Sequence, residues 1–402
     1  MINISKLYCG LAGQSDHLRY GDANSFGPVI VYNCTRRCNL KCLHCYSSSS
    51  FDENHNELTT AQAKQLLLQL AEVNCPVVLF SGGEPLLRSD LFELLEEARE
   101  LGLQTVISTN GTLIEPATSD KLAEVGISYV GISIDGGEEF HDIFRQSKGS
   151  FKAALRGIKN CQVSGIKTGL RFTITKTTAE QIPAVFDIAV SVNVRRICFY
   201  HLISSGRAKE HDEQIPTPQQ TRHVLDVIIE KTDDSVQKGL VDEVLTVGNH
   251  ADGPYLLTKM AEEIQNHVLS TAEGSKPCPE RSRRTSTQNY DNARQLLLAA
   301  GGNKIGEKIG CVSWDGNVHP DQFWHNYSLG NVKEKTFKEI WDNPTEPVLN
   351  KLRKKNEFAD ARCLKCKWFD LCKGNFRFLG ANGNDENWLN EPDCYLTDEE
   401  IA

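Results

Sequence analysis

The sequence predicts an α/β protein, a parallel sheet wrapped by helices, with polar chemistry gathered where the strands end. Three observations predict it. Six strands alternate with helices between Val29 and Tyr200. Three of the strands run into turns rich in Gly, Ser or Asn. A loop with three cysteines follows the first strand.

The elements can be justified in order. Val29-Ile-Val-Tyr32 is a short apolar run that reads as a buried strand. Thr59 to Val73 is helical, with Thr59 as N-cap and Gln62 three residues on. Pro76-Val-Val-Leu-Phe80 is the second strand and Asp90 to Leu101 its helix. Gln104-Thr-Val-Ile-Ser108 is the third, followed by a short helix from Ser119 to Val125. Ile127 to Ile134 is the fourth, with a helix from Phe151 to Val163 capped by Ser150. Leu170 to Thr175 is the fifth, Pro183 to Val192 its helix, and Arg195 to Tyr200 the sixth. Such alternation implies a parallel sheet with helices outside. It does not separate an open doubly wound sheet from a partial barrel. In both, ligands sit at the carboxyl ends of the strands.

Composition narrows the class. In 402 residues an apolar share of 40% is ample for a core, and the net charge of −9 argues against a general nucleic-acid binder. The start lacks a basic segment followed by a long apolar one, so no signal peptide is expected. No apolar run approaches about 18 residues, so no membrane span is expected. The 14 cysteines are not spaced like a secreted disulfide framework, which points to a reducing cytoplasm, and an anaerobic one is expected because exposed clusters are easily oxidised.

The cysteines carry the sharpest signal. Cys38-x3-Cys42-x2-Cys45, with Tyr46 directly after, places three thiols within eight residues. Three thiolates can hold three irons of a four-iron cubane and leave the fourth iron open to a small molecule and to electron transfer. A zinc site with Cys34 as fourth ligand is the alternative. Strand two ends in Ser81-Gly82-Gly83-Glu84-Pro85, where the glycines allow close backbone approach. Strand three ends in Ser108-Thr109-Asn110-Gly111, strand four in Ser133-Ile134-Asp135-Gly136, and strand five offers Arg171.

Beyond Ser204 the pattern loosens. Thr217 to Lys231 and Tyr255 to Val268 read as helices. Ser275 to Asn292 reads as a polar loop with Arg281, Arg283 and Arg284. Cys311 precedes a hairpin over Trp314 to Pro320 that turns at Asp315-Gly316. Phe337 to Trp341 is a short helix, and Cys363-x2-Cys366-x5-Cys372-x21-Cys394 follows. Four such thiolates can close a zinc site or a fully ligated four-iron cluster, and spacing alone favours zinc.

The cysteine loop and strand ends together resemble the radical S-adenosylmethionine (SAM) enzymes, whose open iron chelates the amino and carboxylate groups of SAM. The resemblance implies an α/β partial (β/α)6 radical SAM barrel. It implies a cluster on Cys38, Cys42 and Cys45. It places Gly82, Gly83 and Glu84 at the SAM amino group, Ser133 and Asp135 at its ribose, Arg171 at its carboxylate, and Ser108 and Asn110 also against it. The tail resembles the SPASM/twitch-like iron–sulfur extension of these enzymes. It implies one auxiliary cluster on Cys363, Cys366, Cys372 and Cys394, with Cys311 as an alternative to Cys394. The cofactors implied are two 4Fe–4S clusters and SAM, served by a low-potential electron donor such as flavodoxin or ferredoxin. The implied layout is an N-terminal segment (1–27), the barrel (28–210), a connector covering its mouth (211–310) and the cluster extension (311–402).

The resemblance extends over nearly the whole chain. It is strongest to members that modify side chains of isobacteriochlorins and porphyrins. The matching stretches are Ile4-Ser-Lys-Leu-Tyr-Cys9, Leu18-Arg-Tyr-Gly21, Asn33 to Tyr46, Tyr200-His-Leu202, Gly206-Arg207, Val247 to Gly253 and Gly316 to Trp324. What it implies is removal of two acetates from 12,18-didecarboxysirohaem, giving iron-coproporphyrin III. SAM cleavage would supply a 5′-deoxyadenosyl radical that abstracts a hydrogen, and the auxiliary cluster would supply or remove an electron. Members of the haem d1 branch act instead on propionates of the same substrate. A large flat anion needs cationic anchors, aromatic walls and an axial ligand. Candidate anchors are Arg195, Arg196 and Arg207. Candidate walls are Tyr200, Tyr255, Phe323 and Trp324, and candidate axial ligands His201, His250, His319 and His325. The same tail occurs in enzymes that modify peptides, and the segment before strand one is too short for their added peptide-docking domain. A non-enzymatic iron–sulfur carrier is opposed by the SAM-type strand ends.

Overall fold

The computed structural model describes residues 1–12, 26–52, 56–272, 286–375 and 394–402. Leu18 to Gly21, Arg281, Arg283 and Arg284 lie outside the described residues. The strands are β1 (Ile2–Asn3), β2 (Val29–Thr35), β3 (Val77–Gly82), β4 (Gln104–Thr109), β5 (Tyr129–Ser133), β6 (Thr168–Ile174), β7 (Arg196–His201), β8 (Glu243–Val247), β9 (Ile309–Val312), β10 (Asn317–His319) and β11 (Gly330–Asn331). Among the described residues they form one sheet in the order β1-β8-β7-β6-β5-β4-β3-β2-β9-β10-β11.

The six expected strands are β2 to β7. They lie side by side and all pair in parallel. Helices connect them on the outside. Thr59 closes a capping box with Gln62 at the start of Thr60–Glu72. Ser150 is not a cap. It is the first residue of Ser150–Val163, and Gly149 precedes it with φ +85°. The Ser150 hydroxyl donates instead to Asp142. The seven-residue helix Glu138–Phe144, which the sequence does not announce, follows β5.

Alternation along the strands divides two environments. Phe80, Ile107, Ile132, Phe172 and Phe199 are buried against the helices. Their neighbours Ser81, Ser108, Ser133, Arg171 and Tyr200 line a cavity at the carboxyl ends. Each fully buried aliphatic or phenyl side chain contributes about 1.5–3 kcal/mol. A slip of one residue would exchange that row for hydroxyls and a guanidinium, so the apolar row fixes the register that presents the polar one.

The sheet runs past the six strands on both sides. Helix Pro218–Gln237 crosses back to β8, which adds in parallel to β7. The expected connector 211–310 thus carries a further strand–helix unit and does not merely cover the mouth. β1 pairs antiparallel with β8, so the N-terminal segment shields that edge. On the other side β9 adds in parallel to β2, then turns at Gly316 into β10. The expected boundary at Cys311 falls inside β9. Helix Thr287–Ala300 occupies residues expected to be loop up to Asn292. Beyond the hairpin, Thr336 and Glu339 cap Phe337–Trp341, and two helical turns, Ala361–Lys365 and Phe369–Cys372, carry Cys363 and Cys372 with Cys366 between them.

Candidate active site

Cys38, Cys42 and Cys45 line one cavity together with the ends of β3 to β7. Two main-chain donors point at their sulfurs. The Leu40 N–H lies 3.4 Å from Cys38 Sγ and the Ser49 N–H 3.5 Å from Cys45 Sγ. Burial pushes the Cys38 thiol up to about 12. Burial also opposes the Cys45 thiolate, but Ser47, Ser49 and Arg207 outweigh it and leave Cys45 below its ordinary range. Cys34 does not join them. It is fully buried, donates to the Ser81 carbonyl at 3.4 Å, and is pushed up to about 12 by burial. A zinc site completed by Cys34 is therefore not what the loop is built for.

Backbone-to-backbone packing explains the glycines. A Cβ at Gly82 would stand 2.3 Å from the Thr35 carbonyl, and one at Gly83 would stand 2.0 Å from that of Arg37. The end of β3 is thereby laid flat on the start of the cysteine loop, and both glycines line the cavity. Glu84 does not. Its carboxylate is fully buried and accepts from Thr109 Oγ1 (2.7 Å), the Asn110 N–H (2.8 Å) and the Leu86 N–H (3.2 Å). It joins the ends of β3 and β4 from behind, which leaves only the Glu84 main chain for the expected contact with the SAM amino group.

Ser108, Asn110, Ser133 and Arg171 line the cavity. Asn110 also donates to Asn39 Oδ1 at 2.8 Å, tying β4 to the cysteine loop. Arg171 stacks over Tyr200, its Cζ 4.3 Å from the ring centroid. Stacking uses the face of the guanidinium and leaves its N–H edge for a carboxylate. Asp135 departs from expectation. It is fully buried, does not line the cavity, and accepts from Arg145 Nε at 2.5 Å. Burial opposes its charge, but Arg145 outweighs it and holds the carboxyl below the usual range. The ribose assignment of Asp135 is corrected accordingly.

Arg145 itself was not read from the sequence. Its Nη1 donates to Cys42 Sγ at 3.5 Å. The signal that could have found it is the cluster His141-Asp142-x-x-Arg145 directly after strand four. His141 Nδ1 accepts from the Asp135 N–H at 3.2 Å, and Asp142 accepts from the Ser150 hydroxyl and the Phe151 N–H.

Of the candidate anchors, Arg195 and Arg196 sit at the amino end of β7, far along the strand from the cavity. Arg195 pairs with Asp242 and Arg196 with Glu243. Arg207 straps the cysteine loop. Its Nε donates to the Cys42 carbonyl and its Nη1 to the Ser49 carbonyl, both at 2.9 Å. Gly206 precedes it at φ +58°, where a Cβ would stand 2.2 Å from the Tyr46 carbonyl. Tyr200 and Phe323 line the cavity, whereas Tyr255 bonds Asp226 outside it and Trp324 is buried in the tail core. Of the histidines, His201 lines the cavity. His319 spends both nitrogens, on Ser313 Oγ and on the Tyr327 carbonyl. His325 stacks on Tyr46, burial pushing it down to about 3. His250 follows β8 and lies outside the cavity lining.

In the tail, Arg362 Nη1 donates to Cys394 Sγ at 3.2 Å, and the Trp368 N–H to Cys366 Sγ at 3.4 Å. Burial pushes the Cys366 thiol above its ordinary range, and the nearby Cys394 adds to the effect. Cys311 lies elsewhere, fully buried in β9, and accepts from Asn33 Nδ2 at 3.5 Å. Sulfurs met by N–H donors in both places suit iron–sulfur clusters.

An open-ended cysteine loop at the mouth of a parallel α/β sheet, with a second thiol group in a C-terminal extension, defines a radical SAM enzyme of the SPASM type. The radical SAM superfamily model matches residues 32–189, and the SPASM iron-sulfur cluster-binding domain matches 305–367. Fe-coproporphyrin III synthase of Methanosarcina barkeri is 46% identical over 100% of this chain and 99% of its own length. Pre-heme d1 synthase of Dinoroseobacter shibae is 36% identical over 93% of this chain and 88% of its own. Among solved structures, anSMEcpe with bound AdoMet superposes with a TM-score of 0.62 at 19% identity, covering 89% of this chain and 92% of that one. SuiB of Streptococcus suis, bound to its precursor peptide SuiA, gives 0.62 at 19%, covering 87% and 72%. The chain belongs to the radical SAM family that includes Fe-coproporphyrin III synthase and pre-heme d1 synthase. Its radical SAM domain binds a 4Fe–4S cluster and SAM, and its SPASM domain binds iron–sulfur. No described helix is long and apolar enough to cross a membrane.

Proposed function

We propose that this enzyme removes two acetate side chains from 12,18-didecarboxysirohaem and releases iron-coproporphyrin III. The observation that carries the reading is the 46% identity to Fe-coproporphyrin III synthase over the full length of both chains. SAM rests with its amino group on the Gly82-Gly83 backbone, its carboxylate on Arg171, and its adenosine portion against Ser108, Asn110 and Ser133. Bound SAM would supply the hydrogen-abstracting group. The chain's own part is to orient it, with Glu84, Asp135 and Arg145 holding the strand ends and cysteine loop in place. Tyr200 and Phe323 wall the tetrapyrrole. Cys363, Cys366, Cys372 and Cys394 hold the auxiliary cluster, and a flavodoxin or ferredoxin delivers electrons in an oxygen-free cytoplasm.

The second reading is propionate chemistry on the same tetrapyrrole, favoured by the 36% identity to pre-heme d1 synthase. Titrating anaerobic protein with didecarboxysirohaem tests the substrate class. A shift in the tetrapyrrole absorption bands at stoichiometric protein is expected, and an unperturbed spectrum would return the site to peptide chemistry.

A further inference from the structure

His201 ends β7 and lines the cavity, and its Nε2 lies 2.9 Å from Asp252 Oδ2. Asp252 is fully buried in the first turn of helix Asp252–Ala272, where a carboxylate is favoured. Its other oxygen accepts from the Tyr395 hydroxyl at 2.8 Å. A carboxylate only accepts, so the His201 Nε2 proton points at Asp252, and Nδ1 is the nitrogen left to exchange a proton. None of the SAM-binding or thiol-holding residues uses this pair.

Two uses compete for such a histidine. Ligation of the substrate iron through Nδ1 would bring the macrocycle plane against the histidine's own Cβ and main chain. A proton has no such bulk. We propose that His201, oriented by Asp252, is the proton donor to the departing two-carbon fragment. Tyr395 acts as a positioning residue that fixes the Asp252 rotamer.

The inference rests on the deacetylation reading, and its chemistry balances. A hydrogen atom leaves one ring carbon with the 5′-deoxyadenosyl group. The adjacent ring carbon–CH2COO bond then breaks homolytically, and the two ring carbons keep a new double bond. The fragment becomes acetate on taking one electron, from a reduced iron–sulfur centre, and one proton, from His201. Asp252 holds the charged imidazole before transfer, and the ring is reprotonated from solvent through the cavity mouth.

The test is turnover in deuterium oxide with holoenzyme, SAM, didecarboxysirohaem and a strong reductant, followed by mass analysis of the released acetate. Wild-type acetate should carry one solvent deuterium in its methyl group. His201→Gln should lower kcat by about 100-fold, the scale of a lost general acid, while the acetate that still forms takes its one deuterium from water. Asp252→Asn should lower kcat less severely with KM unchanged, and Tyr395→Phe least. Acetate free of solvent deuterium from the wild type would overturn the proposal. So would His201→Gln and Asp252→Asn variants with wild-type rate. A loss of the substrate absorption shift in His201→Gln would replace it with iron ligation. If the wild type cleaves SAM but leaves the tetrapyrrole intact, the deacetylation reading fails and this one falls with it.

Discussion

The Arg145 guanidinium donates to the Cys42 sulfur across 3.5 Å while its Nε stands 2.5 Å from the Asp135 carboxylate. All three groups are buried. One arginine therefore neutralises an inner carboxylate and places a positive charge on one of the three loop thiols.

Arg145→Met should lose both effects. An uncompensated buried Asp135 costs about 3–5 kcal/mol, readable in anaerobic urea unfolding. The reduction potential of the first cluster should fall, because an N–H donor and a positive charge at the sulfur both favour the reduced state. Asp135→Asn in the same chain should recover much of the stability and none of the potential. Equal recovery of both would contradict the division of roles.

Glu84→Gln should act through the backbone. Turning one acceptor into an amide donor leaves a buried donor unpaired, a cost of about 1–3 kcal/mol. SAM affinity, measured by equilibrium binding to the reconstituted protein, should fall because Asn110 and Gly83 move together. A variant with wild-type stability but weakened SAM binding would restore Glu84 to direct contact.

Burial pushes His325 down to about 3 and His141 down to about 4. Both sit in the neutral form, His141 buried and His325 half-buried, and the unfolded chain titrates near pH 6.5, so it binds more protons below that value. Their contribution is complete above about pH 6.5 and is lost as pH falls towards the folded values, at up to about 1.4 kcal/mol per pH unit each. The urea midpoint should drop between pH 7 and pH 5, and His325→Phe should flatten the slope.

The two thiol groups should separate cleanly. Reconstituted protein should hold about eight irons, two cubanes of four. Cys38→Ala/Cys42→Ala/Cys45→Ala should keep about half and abolish SAM cleavage. Replacing Cys363, Cys366, Cys372 and Cys394 should remove the other half. Zinc at the tail thiols of anaerobically purified protein would contradict this.

What the sequence disclosed follows from what local pattern encodes. β2 to β7 were legible because each is an apolar run bounded by Gly, Pro or polar turns. β8 was not, because Glu243-Val-Leu-Thr-Val247 follows a long polar helix and its pairing with β7 is a tertiary fact. The cysteine loop was legible because its ligands lie within eight residues. Glu84 and Asp135 were assigned outward because motif position does not say which way a carboxylate turns. Glu84 turns to the β4 backbone, and Asp135 to an arginine on a helix too short and polar to announce itself. His201 and Asp252 are 51 residues apart, so no spacing could join them.

The central claim is tested most directly by mass spectrometry of the tetrapyrrole after anaerobic incubation with SAM, a strong reductant and 12,18-didecarboxysirohaem. The account predicts iron-coproporphyrin III, reached through a species lacking one acetate, with every propionate retained. Loss of propionates with both acetates kept would contradict it.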